Sequence, residues 1–226
     1  GIIAFTDGVK TVQDPQVMAR IMNYAGQSQS LIMQHAEDNI LSKDGLINEG
    51  EISTRLGLKG IPSLAEKIIV ERDLSFLEEY FCRYHISQIS SEKTVSVIKK
   101  AKEEGKIFTV GVSINNLSLN ENDIGDFKTF LKLSPPLRTE NDRLSLVKGV
   151  NEGTIDVIVS DHKPEDEESK RLTFSQVATG ATGIETLLPL ALELFHNKSI
   201  KLDKLVASLT SNPAKILGIN KGSLEV

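Results

Sequence analysis

The run Gly153-Thr154-Ile155-Asp156-Val157-Ile158-Val159-Ser160-Asp161-His162 decides how the rest of the chain is read. Residues 154–159 are the most strand-like stretch of the sequence, rich in β-branched side chains. A near-continuous apolar strand belongs in a parallel sheet covered by helices on its faces. The run then stops on Asp161 and His162, so a carboxylate and an imidazole arrive where the apolar strand ends. A (β/α) barrel builds its chemistry at such C-terminal strand ends.

The same alternation extends in both directions. Short β-rich runs fall at 1–6, 30–34, 83–86 and 106–113. Longer runs with helical spacing fall at 16–25, 63–80, 92–104, 140–150, 183–195, 202–210 and 213–217. The helix expected at 63–80 follows Pro62, takes Ser63 as its cap and places Leu64, Ile68, Ile69, Leu74 and Leu77 at roughly helical spacing. Gly105 is the expected stop of the helix before it. About five or six strand–helix units result, against the eight of a closed barrel, so residues 1–226 read as a single barrel domain only partly covered. A doubly wound open sheet is the competing fold. It calls for a Gly-rich phosphate turn after its first strand, and Asp7-Gly8 is not one.

The chain has 226 residues, 39% hydrophobic and 25% charged, with a formal net charge of −5, which describes a globular protein. No Lys/Arg run is long enough to track phosphates, so nucleic acid is not an expected partner. No apolar stretch approaches the ~18 residues that span a bilayer, and no secretory leader pattern opens the sequence. The single cysteine, Cys82, cannot form an internal disulfide and reads as a small core residue. The expected compartment is a reducing cytoplasm.

Several places carry candidate chemistry. His35, at the end of the strand expected at 30–34, is a ligand type suited to zinc, or a hydrogen-bonded residue at a barrel mouth. Asp161 can bind metal and move protons, or cap a following helix. His162 beside it should face the opposite way. Asp7 is either a ligand carboxylate or part of an Asp-Gly turn. His85 reads as a satisfied strand histidine and His196 as a cation at a helix C-terminus. The charge-dense stretch 163–171 is a solvated loop or a lid over the mouth. The chain lacks a Gly-x-Ser-x-Gly elbow, a P-loop and a Cys-x-x-Cys pair. Spacing alone therefore stops at a barrel-like α/β protein with a candidate metal-dependent hydrolase site.

Several segments, in order along the whole chain, resemble bacterial dihydroorotases of the amidohydrolase superfamily. They include Ile3-Ala4-Phe5-Thr6-Asp7-Gly8, Gln34-His35-Ala36-Glu37-Asp38, Tyr84-His85-Ile86-Ser87-Gln88-Ile89-Ser90, Lys132-Leu133-Ser134-Pro135-Pro136-Leu137-Arg138, the run ending in Asp161-His162, and Asn212-Pro213-Ala214. The resemblance implies a (β/α)8 TIM barrel whose N-terminal strands and flanking β-sandwich lie outside these residues. It implies interconversion of N-carbamoyl-L-aspartate and dihydroorotate in pyrimidine biosynthesis, with zinc at the mouth. Asp161 would be the proton shuttle and a metal ligand, His35 a metal ligand and Asp7 a substitute one.

The departures from the family pattern are as informative. Gly8 stands where Asp-Asp-Gly supplies a ligand carboxylate, and Gln88 where His-Ile-Ser-His supplies an imidazole. Ile114-Asn115-Asn116-Leu117 replaces Pro-His-His-Leu. Ser134 and Glu165 replace an asparagine and a histidine that would contact substrate. The segment 111–125 resembles a divergent branch of the family. Two expectations follow: a zinc-dependent dihydroorotase, or a non-catalytic partner of aspartate carbamoyltransferase. Association with that enzyme or with itself is expected in either case.

Overall fold

The structure, a computed structural model, describes residues 2–223. In chain order the strands are β1 (Ala4–Phe5), β2 (Leu31–Gln34), β3 (Ile47–Asn48), β4 (Gly60–Ile61), β5 (Arg83–Ile89), β6 (Thr109–Ser113) and β7 (Val157–Val159). The helices are α1 (Pro15–Ser28), α2 (Glu51–Leu56), α3 (Ser63–Phe76), α4 (Glu92–Glu103), α5 (Ile114–Ser118), α6 (Glu140–Glu152), α7 (Glu167–Lys170), α8 (Ile184–His196), α9 (Leu202–Leu209) and α10 (Ser211–Leu217). β1, β2, β5, β6 and β7 form one sheet in that order, with every neighbouring pair parallel. β3 and β4 make a separate two-stranded parallel ladder. A doubly wound sheet reverses strand order at its switch point. Here the order never reverses, so the sheet is an arc of barrel wall.

Local chemistry sets the helix starts. The Asp14 carboxylate accepts from the Gln16 and Val17 amides, and Pro15 supplies the first turn of α1. Ser91 caps α4, and Thr139 with Asp142 forms a capping box on α6. The main core fills the layer between sheet and helices. Ile32, Tyr84, Ile86, Val110, Val112 and Ile158 from the strands meet Met18, Met22, Ile69, Ile98, Leu146 and Leu194 from the helices. Alternate strand residues, His85, Thr109, Gly111 and Ser113 among them, therefore face the barrel interior. A second, smaller cluster of Ile47, Ile52, Ile124, Leu133, Leu137 and Phe174 packs under the loops beyond the strand ends.

β5 departs from strict alternation. Its pairing with β6 shifts between Ile86 and Ile89, and both of these side chains lie in the helix-facing core. Three residues take the place of two, the mark of a bulge, which turns Gln88 toward the mouth. Gly111 makes this possible. A Cβ there would lie 2.3 Å from the Ser87 carbonyl oxygen and 3.3 Å from His85 Nε2. We expect Gly111→Ala to cost about 1–3 kcal/mol by overpacking, read as a lowered urea midpoint at unchanged slope. A neutral result would mean that the bulge is not held by this contact.

Several sequence expectations are corrected. The strand expected at 154–159 is only Val157–Val159. The Thr154 and Ile155 amides close the end of α6 on the Gly149 carbonyl, and at Asp156 the amide donates to the Val110 carbonyl while the carboxylate, not the main chain, accepts from the Val110 amide. The strand expected from 106 begins at Thr109, because the Lys106 amide closes α4 on the Ala101 carbonyl. α3 stops at Phe76, and Ser63 is its first helical residue rather than its cap. The first strand shrinks to Ala4–Phe5, and Gly1 lies outside the described residues. The stretch 163–171 contains the short helix α7. The β3–β4 ladder, α2 and α5 carry too few residues to show a period.

Candidate functional site

The C-terminal ends of β2, β5, β6 and β7 converge, and the site lies where they meet. Asp161 follows β7 with φ of 51°, a left-handed conformation that costs energy in any residue but glycine. Its Oδ1 accepts a 3.0 Å hydrogen bond from Gln88 Nε2. Burial raises the Asp161 pKa above the usual carboxylate value, against opposing hydrogen bonds from Gln88 and Ser113 and the nearby His35. His35 is buried just beyond β2. Desolvation lowers its pKa, while Glu37, Glu66 and Asp161 pull the other way. The mouth thus gathers one imidazole, one carboxyl of raised pKa, one carboxamide and one hydroxyl.

Among the described residues, the other sequence candidates share no side-chain hydrogen bond with Asp161 or His35. Asp7 sits in an exposed turn, where its carbonyl accepts from the Lys10 amide. Gly8 follows with φ of 67°, and nothing lies within 4 Å of the position a Cβ would take. Ser134 is half-buried beside buried Pro135. Glu165 is 3.7 Å from Lys163 in a partly exposed ion pair. The His162 ring turns away from Asp161. Its Nδ1 accepts from the Gly183 and Ile184 amides and so caps α8. His85 lies inside the sheet with Nδ1 2.8 Å from Thr109 Oγ1. His196 ends α8. Asn116 Nδ2 donates to the Pro136 carbonyl at 2.9 Å, whereas Asn115 Nδ2 and Asn116 Oδ1 are buried without a partner among the described residues.

Sequence reasoning missed Ser113 and Glu66. Ser113 ends β6 as Asp161 follows β7, and this shared strand-end position was the available signal. Glu66 is buried on α3, where both carboxylate oxygens take hydrogen bonds from Ser90 and Ser91.

A parallel arc of strands with polar groups at its C-terminal ends is the wall of a (β/α) barrel, and its likeness to solved structures makes it one of the amidohydrolase type. Its fold matches L-hydantoinase (dihydropyrimidinase) from Arthrobacter aurescens with a TM-score of 0.81 and 26% identity, over 99% of this chain and 52% of that one. Dihydropyrimidinase from Brevibacillus agri NCHU1002 matches in fold at a TM-score of 0.80 and 22% identity, over 94% and 49%. Within that class the chain is similar to dihydroorotases along its whole length. A family profile described as Dihydro-orotase-like matches residues 1–94. The dihydroorotase of Ehrlichia canis (strain Jake) is 42% identical over 226 residues, 100% of this chain and 51% of that protein. That of Desulforapulum autotrophicum is 39% identical over 220 residues, 97% and 52%. The chain spans about half the length of the curated relatives it matches.

Family resemblance implies zinc, and the donor set tests that implication. A zinc site takes three or four protein ligands. Among the described residues no group of three or more His, Cys, Asp and Glu is placed to hold a metal. His35 and Asp161 are two candidate ligands, and the third side chain at the mouth is Gln88. Its amide spends an N–H on Asp161 and offers a metal only a neutral carbonyl oxygen, a poor zinc ligand beside imidazole. The described residues do not by themselves fit a zinc centre.

Proposed function

We propose that this chain forms the mouth-bearing part of a dihydroorotase-like protein of pyrimidine biosynthesis, and that its own residues make a metal-free, non-catalytic mouth. The observation that carries this reading is the hydrogen bond from Gln88 to Asp161. It satisfies, with a neutral amide, a carboxylate that would otherwise seek a cation. Glu165 points the same way, since an anion at a position that would meet an anionic substrate repels it. The protein then serves as a structural partner, of aspartate carbamoyltransferase or of a second copy of itself, in the cytoplasm where that pathway would run. No helix among the described residues is long and apolar enough to cross a membrane.

One observation favours a second reading, a working dihydroorotase. Asp161 keeps a strained left-handed backbone and a raised pKa, as a proton-handling group would. In that reading Asp161 moves the proton of the scissile amide, and Ser134 and Glu165 border the substrate. Zinc analysis of the full-length protein with a dihydroorotate ring-opening assay separates the two. The structural reading expects neither zinc nor turnover, and expects a transcarbamoylase to co-purify or the protein to self-associate. Stoichiometric zinc, with turnover that vanishes in Asp161→Ala, would sink it.

A further inference from the structure

We propose that residues 132–138 form a metal-independent clasp for the mouth, with Lys132 and Arg138 as its positioning residues. The segment lies between the loops that rim the strand ends, and a buried cation stands at each of its ends. Lys132 reaches one way. Its ammonium donates to the Ser175 and Val177 carbonyls at 3.2 and 2.9 Å, and its own carbonyl accepts from the Gly180 amide at 2.9 Å. These contacts fix the loop that follows Asp161 and α7.

Arg138 reaches the other way. Its Nε donates to Ser90 Oγ at 3.1 Å, and Nη1 donates to Asn48 Oδ1 at 2.9 Å and to the Ile61 carbonyl at 2.6 Å. One guanidinium thereby joins the ends of β3, β4 and β5, which its planar set of donors permits. Ser90 is two residues from Gln88, so the same contact holds the strand end that meets Asp161. Asn48 in turn donates to the buried Glu121 carboxylate at 2.7 Å. Between the two cations, Leu133 and Leu137 sit in the second hydrophobic cluster with Phe174. The clasp therefore ties together four segments far apart in sequence using protein groups alone. A bound metal can join strand ends in the same way, and here that work has another agent. The inference concerns how the mouth is held and stands whether or not the mouth turns over a substrate.

Hydrogen exchange by mass spectrometry on the full-length protein tests it. Lys132→Met is expected to speed exchange in 173–181 by about tenfold or more while leaving 47–61 and 89–91 at the wild-type rate. Arg138→Met is expected to do the reverse. If Arg138→Met does not fold, Arg138→Lys keeps the charge but loses the fork that spans Ser90 and Asn48, and should give the same regional pattern. Wild-type protection should be equal in zinc and in chelator. A uniform rise that includes β5 and β6, no regional rise, or loss of wild-type loop protection in chelator would overturn the clasp.

Discussion

Glu66→Ala is expected to lower stability by about 3–5 kcal/mol, the range for stripping one partner from a buried charged network. Glu66 comes from the first turn of α3 and lies almost wholly buried. Its carboxylate accepts from the Ser90 amide at 2.8 Å, Ser90 Oγ at 2.5 Å, the Ser91 amide at 3.2 Å and Ser91 Oγ at 3.1 Å. Ser91 is the cap of α4, so the charge also sits at the positive end of that helix. Ser90 passes the interaction on to Arg138, whose pKa is lowered by burial while Glu66 opposes that shift. Alanine would remove the acceptor of the Ser90 and Ser91 donors and take a nearby negative charge from buried Arg138. Glutamine should cost less, because it keeps the shape and one acceptor but turns an amide N–H toward a donor. Thermal unfolding should show a drop of roughly 10 °C for alanine in a chain of this size. A loss below about 1 kcal/mol, the worth of a single ordinary hydrogen bond, would contradict this account of the network.

Glu66 also shows where sequence reading stops. The alternation of strands and helices was legible because each element repeats its own period, and the barrel class followed from Asp161 ending an apolar run. Within α3, Glu66 and Asp73 lie seven residues apart, on the stripe that carries Ile69, Val70 and Leu74 into the core. Charges on a buried stripe were the available sign of a network. They read instead as ordinary helix charges, because their partners are distant in sequence. Ser90 is 24 residues from Glu66 and 48 from Arg138. Gln88 and Asp161 are 73 residues apart, so no local pattern could show that one donates to the other. The family pattern identified Gln88 as a substituted position. What the amide does there depends on a bulge that the sequence does not announce. The β3–β4 ladder was missed for a related reason: two-residue strands have no period, and the second cluster beneath them gathers single residues from β3, α2 and the loops.

Acidification should destabilise the fold through His85, a residue that the mouth does not use. His85 is almost fully buried on the inner face of β5, and burial, with a smaller contribution from Lys102, lowers its pKa from 6.5 to about 4. Its Nδ1 lies 2.8 Å from Thr109 Oγ1, and Gly111 leaves room for the ring but not for the solvation of a charge. The unfolded chain takes up a proton near pH 6.5, as an ordinary histidine does, whereas the folded chain refuses it until about pH 4. The folded pKa is depressed, so the stabilisation of the neutral ring is complete above about pH 6.5. It declines as pH falls and is spent near pH 4. At 1.36 kcal/mol per pKa unit the whole effect is about 3 kcal/mol, an order-of-magnitude figure. His35 shifts in the same direction, whereas Asp73 and Asp161 have raised pKa values, which favour the folded state as pH falls and blunt the net slope. The His85 contribution is therefore isolated by comparison. Urea unfolding of wild type and His85→Asn between pH 7 and pH 4.5 should show the wild type losing about 2 kcal/mol more than the variant, which has no imidazole to protonate. Parallel curves for the two proteins would mean that His85 takes up its proton equally well in the folded state, and that the interior of the arc is wetter than its packing indicates.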